Sequence, residues 1–178
     1  MNATKSSQTI PGSQKGFTLI EVLVALVITA FIVVFLGQAI SQVIVINKQN
    51  TSLITAQRQV QQAGFYLSRD GQQARTVSLG NNPTGTGFPV IYSWIDLDGS
   101  THQVTYSLSA GGVLSRSETI NGGAATHFNV ATNINTASAI TLFSLVSPGV
   151  YNLKVTSTIT GKITASETRE YKILQRTT

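Results

Sequence analysis

One carboxylate stands inside the longest apolar stretch of this chain. Glu21 is the sole charged residue between Phe17 and Gly37. A charge at the centre of a membrane helix costs about 2.5–3.5 kcal/mol, and less near an end. An acid kept there points to a function and needs a partner. Other residues with chemical potential are scattered. His102 and His127 lack metal-ligand spacing with any second candidate. The many serines include no Gly-x-Ser-x-Gly elbow. Asp96 and Asp98 with Ser100 form a fragment of calcium-loop chemistry, without the closing glutamate of an EF-hand. A hairpin turn accounts for the same residues and is the preferred reading, which leaves Asp96 and Asp98 as weak metal candidates only. Arg58, Arg69 and Arg75 carry charge suited to phosphates, but aromatic interleaving is sparse and a solvated helix face explains them. No catalytic constellation and no cofactor site emerge, so the chain reads as a non-enzyme.

The elements that must position Glu21 follow from the apolar pattern. Roughly 20 apolar residues cross a bilayer as a helix, and Phe17 to Gly37 supplies such a run without proline. Its β-branched residues weaken helix in water, yet in lipid the backbone must bond to itself and helix is favoured. Lys5 and Lys15 precede the run and no acidic residue does. The positive-inside rule then places residues 1–16 in the cytoplasm and the remainder outside, as a single pass of the cytoplasmic membrane. The net charge is +5, 11% of the residues are charged, and there is no cysteine. Disulfides and thiolate metal sites are thereby excluded. With Lys5 and Lys15 set aside, the charge left is too small to imply a nucleic-acid partner.

Three readings compete for this segment. Gly37-Gln38-Ala39 offers a signal peptidase small residues at suitable spacing, but the apolar core exceeds the usual 7–15 residues. A plain uncleaved anchor is the second. The third rests on Lys15-Gly16-Phe17-Thr18-Leu19-Ile20-Glu21. This stretch resembles the type IV pilin and pseudopilin signature at the basic residue, the glycine, the aromatic, the apolar pair and the glutamate. The resemblance implies cleavage between Gly16 and Phe17 by a prepilin peptidase, N-methylation of Phe17, and retention of the helix. The physics is compatible with that implication. Glycine before the scissile bond puts no side chain in a protease's way. The new amine on Phe17 would be largely cationic at neutral pH. Glu21, one helical turn on, is placed to pair with that amine or with a neighbouring subunit's. The resemblance favours the neighbour, with Glu21 setting subunit register. Snorkelling of Glu21 to the interface is the plainer alternative.

Beyond Gly37 the pattern stays helical and becomes amphipathic. Ile46, Leu53, Val60, Leu67 and Ala74 recur at heptad spacing and make one stripe. The interleaved positions hold Asn50, Gln57, Gly64 and Gly71, so a zipper seam is not expected. Ile54 and Phe65 lie off the stripe and face either a wide sheet or a neighbouring subunit. Gly64 and Gly71 each cost about 1 kcal/mol relative to alanine, so the far end should be the weaker one. Asn81-Asn82-Pro83-Thr84-Gly85 is a stop, and the helix is expected over about 17–78. Leu67-Ser68-Arg69-Asp70-Gly71-Gln72-Gln73-Ala74-Arg75 resembles the helix end of the PilW, GspJ and ComGF-like minor pilin and pseudopilin group. Gly71 stands there where a larger residue is usual. The chain also lacks the cysteine pair and the helix proline of many major pilins.

From Phe88 the period shifts towards two. Val90–Ile95, the stretch through Val104, Tyr106 and Leu108, Val113–Ile120, Ile140–Val146, Val150–Ile159 and Ile163–Leu174 read as strands. Asn121-Gly122 signals a hairpin. Long loops are expected at 80–88 and 121–139. The fold class is therefore α+β, a long helix packed on one antiparallel β-sheet, as the resemblance implies. The expected organisation is a leader at 1–16, a transmembrane half at 17–40, an amphipathic half at 41–80 and a β head at 81–178. The implied partners are other pilins or pseudopilins, a prepilin peptidase, an inner-membrane assembly platform and the lipid bilayer. The implied role is a minor subunit that initiates, primes or tips a type IV filament in the periplasm or at the cell surface. The alternatives are a pseudopilin of type II secretion or DNA uptake, and a membrane-tethered binding module that never polymerises.

Overall fold

The structure, a computed structural model, describes residues 16–80, 86–161 and 164–176. One long helix comes first, α1 (Leu19–Gln73). Eight strands follow: β1 (Thr76–Leu79), β2 (Val90–Ile95), β3 (Thr101–Leu108), β4 (Leu114–Ile120), β5 (Thr126–Ala131), β6 (Leu142–Ser147), β7 (Val150–Ile159) and β8 (Ala165–Leu174). The chain divides into two units between Val45 and Ile46.

In the first unit every described residue is exposed, and the sequence is long and apolar enough to cross a membrane. Two of its hydroxyl side chains bond back to the helix. Thr29 Oγ1 donates to the Ala25 carbonyl at 2.7 Å and Ser41 Oγ to the Gly37 carbonyl at 2.9 Å. Such back-bonding keeps a hydroxyl compatible with a medium that offers no water.

In the second unit α1 packs on antiparallel strands. They form two sheets, in the orders β1-β2-β3-β4-β5 and β6-β7-β8, where a single sheet was expected. Alternation decides the inward faces. Val90, Tyr92 and Trp94 from β2, Val104 and Tyr106 from β3, and Leu153 and Val155 from β7 are buried with Val60, Ala63 and Leu67 of α1. Tyr92 meets Tyr106 and Phe143 edge-on, with ring centroids 5.8 and 6.3 Å apart. One long N-terminal apolar helix packed on antiparallel sheets is an α+β, type IV pilin-like architecture.

Several expectations change in detail. The helix ends at Gln73, short of 78, and no glycine or proline stops it. Ala74 N–H still bonds to the Asp70 carbonyl, but Arg75 N–H donates to Ser93 at 2.9 Å, so the sheet captures the chain. The stop signal at 81–85 lies outside the described residues. β1 occupies the end of the expected helix, and β5 lies within the expected 121–139 loop. The heptad stripe is buried at Val60, Leu67 and Ala74, whereas Ile46 and Leu53 are exposed. Ile54 and Phe65 are also exposed, which removes their packing on a sheet of this chain.

The two helix glycines have a packing reason. A Cβ on Gly64 would lie 2.1 Å from the Tyr171 ring, and one on Gly71 would lie 2.5 Å from Ile173 Cγ2. Absent side chains let β8 approach the helix. Tyr171 Oη then reaches the Val60 carbonyl at 3.2 Å. Gly64→Ala gains about 1 kcal/mol of helix propensity, but it must displace the ring and that hydrogen bond. A net loss of stability is expected in denaturant unfolding. A rise would show that the ring gives way freely.

A chain of charges fastens the helix end to the five-stranded sheet. Asp70 is 1% exposed. Its Oδ2 accepts from Tyr106 Oη at 2.6 Å and from Arg116 Nε at 2.7 Å. Its Oδ1 accepts from Arg69 Nε at 3.0 Å and Nη2 at 2.9 Å. Arg116 Nη1 continues to Glu118 at 2.8 Å. His102 closes the series, with Nδ1 3.1 Å from Glu118 and Nε2 2.9 Å from Asp96. The same ring lies flat against Trp94. Burial and the Asp70 carboxylate push the Tyr106 hydroxyl well above its ordinary range.

Burial raises the Glu118 carboxyl, but hydrogen bonds from Arg116 and His102 outweigh it and hold the group below its ordinary 4.5. A depressed folded value means stability present above the unfolded value and lost as pH falls through the folded one. The head should therefore lose stability below about pH 4.5. Glu118→Gln is expected to flatten that acid limb in thermal unfolding at several pH values.

Candidate functional site

The site lies at the start of α1, where three residues precede regular helix. Gly16, Phe17 and Thr18 are non-helical and Leu19 is the first helical residue. Phe17 is 88% exposed. Nothing lies within 4 Å of the place a Cβ would take on Gly16. Among the described residues the Gly16–Phe17 bond is thus exposed and outside regular structure. Lys15 and the residues before it lie outside the described residues.

Thr18 and Glu21 then form a capping box. Glu21 Oε2 accepts from Thr18 N at 2.8 Å and from Thr18 Oγ1 at 3.0 Å. Glu21 N–H reaches back to Thr18 Oγ1 at 3.3 Å. Two donors that open every helix without a partner are satisfied reciprocally. The carboxylate also sits at the positive end of the helix dipole. Within this chain the partner of Glu21 is therefore Thr18, the residue beside Phe17. Sequence reading named the amine and missed Thr18, although Thr18-Leu19-Ile20-Glu21 spells the box. The geometry holds the acid turned back towards Phe17, one residue from any amine released there.

The other candidates do not converge on it. Asp98 Oδ1 accepts from Ser100 N at 2.8 Å and Oδ2 from Ser100 Oγ at 3.0 Å. These bonds hold the Asp98 carboxyl below its ordinary value and close a turn. Asp96 is engaged by His102 instead. Among the described residues, no group of three or more His, Cys, Asp or Glu side chains gathers as a metal site. His127 is exposed on β5, and Arg58 and Arg75 are exposed. Arg69 is committed to Asp70.

Residues 12–37 match the family model for the prokaryotic N-terminal methylation motif. The chain carries a prepilin-type leader. That leader, followed by an apolar α1, indicates a type IV pilin-like or pseudopilin precursor anchored in a membrane. Comparison with curated proteins and with solved structures gave no match.

Proposed function

We propose that this chain is the precursor of a structural subunit of a type IV filament, a minor pilin that initiates, primes or tips assembly. A prepilin peptidase removes residues 1–16, cutting between Gly16 and Phe17, and the freed amine of Phe17 is methylated. Residues 17–40 then remain in the cytoplasmic membrane as a single pass. Residues 41–80 and the head from 81 lie outside. Assembly-platform proteins and other pilins or pseudopilins receive the subunit, and Glu21 sets its register against the amine of a neighbour. The chain performs no catalysis in this scheme.

The observation that supports this reading is the methylation motif leading into a helix whose apolar residues before Ile46 are all exposed among the described residues. Exposed apolar side chains at that density need lipid or other helices. The capping box supports the sequence of events. It gives Glu21 hydrogen-bond partners in the precursor, and cutting at Gly16 frees an amine that a neighbour's Glu21 can engage. The role as a minor subunit rests on the resemblance of Leu67–Arg75 to that group.

Intact-mass and N-terminal peptide analysis of the protein from its own cells tests the processing. The expected result is a chain that begins at N-methylated Phe17. Recovery with residues 1–16 attached, or trimmed after Ala39, would falsify the reading.

A further inference from the structure

His102 stands between two carboxylates that belong to different elements. Its Nδ1 lies 3.1 Å from Glu118 Oε1 on β4, and its Nε2 lies 2.9 Å from Asp96 Oδ2 in the β2–β3 turn. One face of the ring is stacked on Trp94, with centroids 5.0 Å and planes 2° apart. Neutral imidazole carries one N–H and one lone pair, whereas the cationic ring donates from both nitrogens. A lone pair aimed at a carboxylate oxygen repels it. Both contacts hold together only while the ring is cationic.

Other charges surround the ring. Asp98 lies within its electrostatic reach. Arg116 is bound to Glu118 and Asp70, and Arg75 lines the same surface hollow as the ring. The two touching carboxylates differ in what they can do without it. The Glu118 side chain is 24% exposed and keeps its bond from Arg116 at 2.8 Å. The Asp96 side chain is 53% exposed, so water can take the place of the ring. Asp96 is therefore the weaker hold.

We propose that His102 is a proton-operated latch on the β2–β3 turn. Histidine is the side chain whose charge changes between pH 5 and 8. With its second proton, the ring ties Asp96 to β4. As pH rises that proton leaves to solvent. The remaining N–H stays with the less hydrated Glu118, and Asp96 is released to water. The turn keeps its own bonds, from Asp96 N–H to the Ser100 carbonyl at 2.9 Å and from Gly99 N–H to the Asp96 carbonyl at 3.0 Å. It therefore moves as a unit about the ends of β2 and β3. Its tip, where Leu97 is fully exposed, is held in mild acid and loose above neutrality. The latch does not depend on the filament reading.

The composition allows a direct test on the full chain in detergent. Trp94 is the sole tryptophan, and the absence of cysteine lets Leu97→Cys carry a single spin label. Between pH 5 and 8 the Trp94 emission should rise, because a stacked imidazolium quenches indole more than the neutral ring does. Over the same range the spectrum of the label should narrow as the tip loosens. Glu118 stays ionised throughout, since its carboxyl is held below its ordinary 4.5. His102→Gln should remove both transitions, and His127→Gln should leave both in place. Asp96→Ala changes an exposed side chain and spares the core. It should leave the label as loose at pH 5 as the parent is at pH 8, and move the emission change to lower pH. No transition in the parent, transitions that survive His102→Gln, or a label in Asp96→Ala held as firmly at pH 5 as in the parent would each overturn the latch.

Discussion

Asp70→Ala is expected to destabilise the head by about 3–5 kcal/mol, because one side chain of a buried ionic network is removed and its partners stay behind. Arg116 is 6% exposed and would keep its charge with only Glu118 opposite. Tyr106 Oη would lose its acceptor as well. The loss exceeds that expected for Tyr106→Phe, about 1 kcal/mol for a single hydrogen bond. Urea unfolding of the detergent-solubilised chain, followed by Trp94 fluorescence, reads both. Equal midpoints for Asp70→Ala and the parent would show that the network contributes nothing net. The double substitution Asp70→Ala with Arg116→Met separates the causes. It should recover much of the loss, because the orphaned cation goes with its partner.

Glu21→Ala is expected to leave membrane insertion intact and to abolish incorporation into filaments. Insertion depends on the apolar run, which loses a charge and becomes more favourable. Assembly loses the acid that meets the terminal amine. Because Glu21 also caps its helix, a second variant is needed. Thr18→Val removes the hydroxyl of the capping box and keeps the carboxylate, at a cost of about 1 kcal/mol. If the acid acts through the amine, Thr18→Val assembles and Glu21→Ala does not. If assembly needs only a firmly capped helix start, the two variants are impaired together. Sedimentation of sheared filaments, with blotting of the membrane fraction, distinguishes these results. Filaments containing Glu21→Ala at the parental level would remove the role assigned to the carboxylate.

Local signals were legible in the sequence, and long-range ones were not. The apolar run, the β2–β3 turn at Asp96–Ser100 and the final pair of strands follow from periodicity and turn chemistry, each within a short window. β1 was lost because Thr76-Val77-Ser78-Leu79 is brief and continues from a helical stripe. Only the bond from Arg75 to Ser93, supplied by a strand far along the chain, tips the choice. β5 was lost because Phe128 and Val130 alternate over too short a length between Gly122-Gly123 and an Asn/Thr-rich stretch. Gly64 and Gly71 read as weak points because helix propensity is local, while their reason lies on β8. The acids and bases around Asp70 join residues 36 and 46 positions apart, with no motif to announce them. At the candidate site the capping box was present in the letters all along. Glu21 carries two signals at once, a charge in an apolar run and the third residue of a helix, and the first masks the second.

The attachments of α1 to the sheets have a mechanical consequence. Val60, Gly64, Asp70 and Gly71 grip the strands before the backbone turns at Ala74 and Arg75. Tension drawn along the helix from residue 46 meets those contacts ahead of the two-residue link. The link is thereby shielded from load, and a pull strong enough to detach the head must first tear out a buried carboxylate.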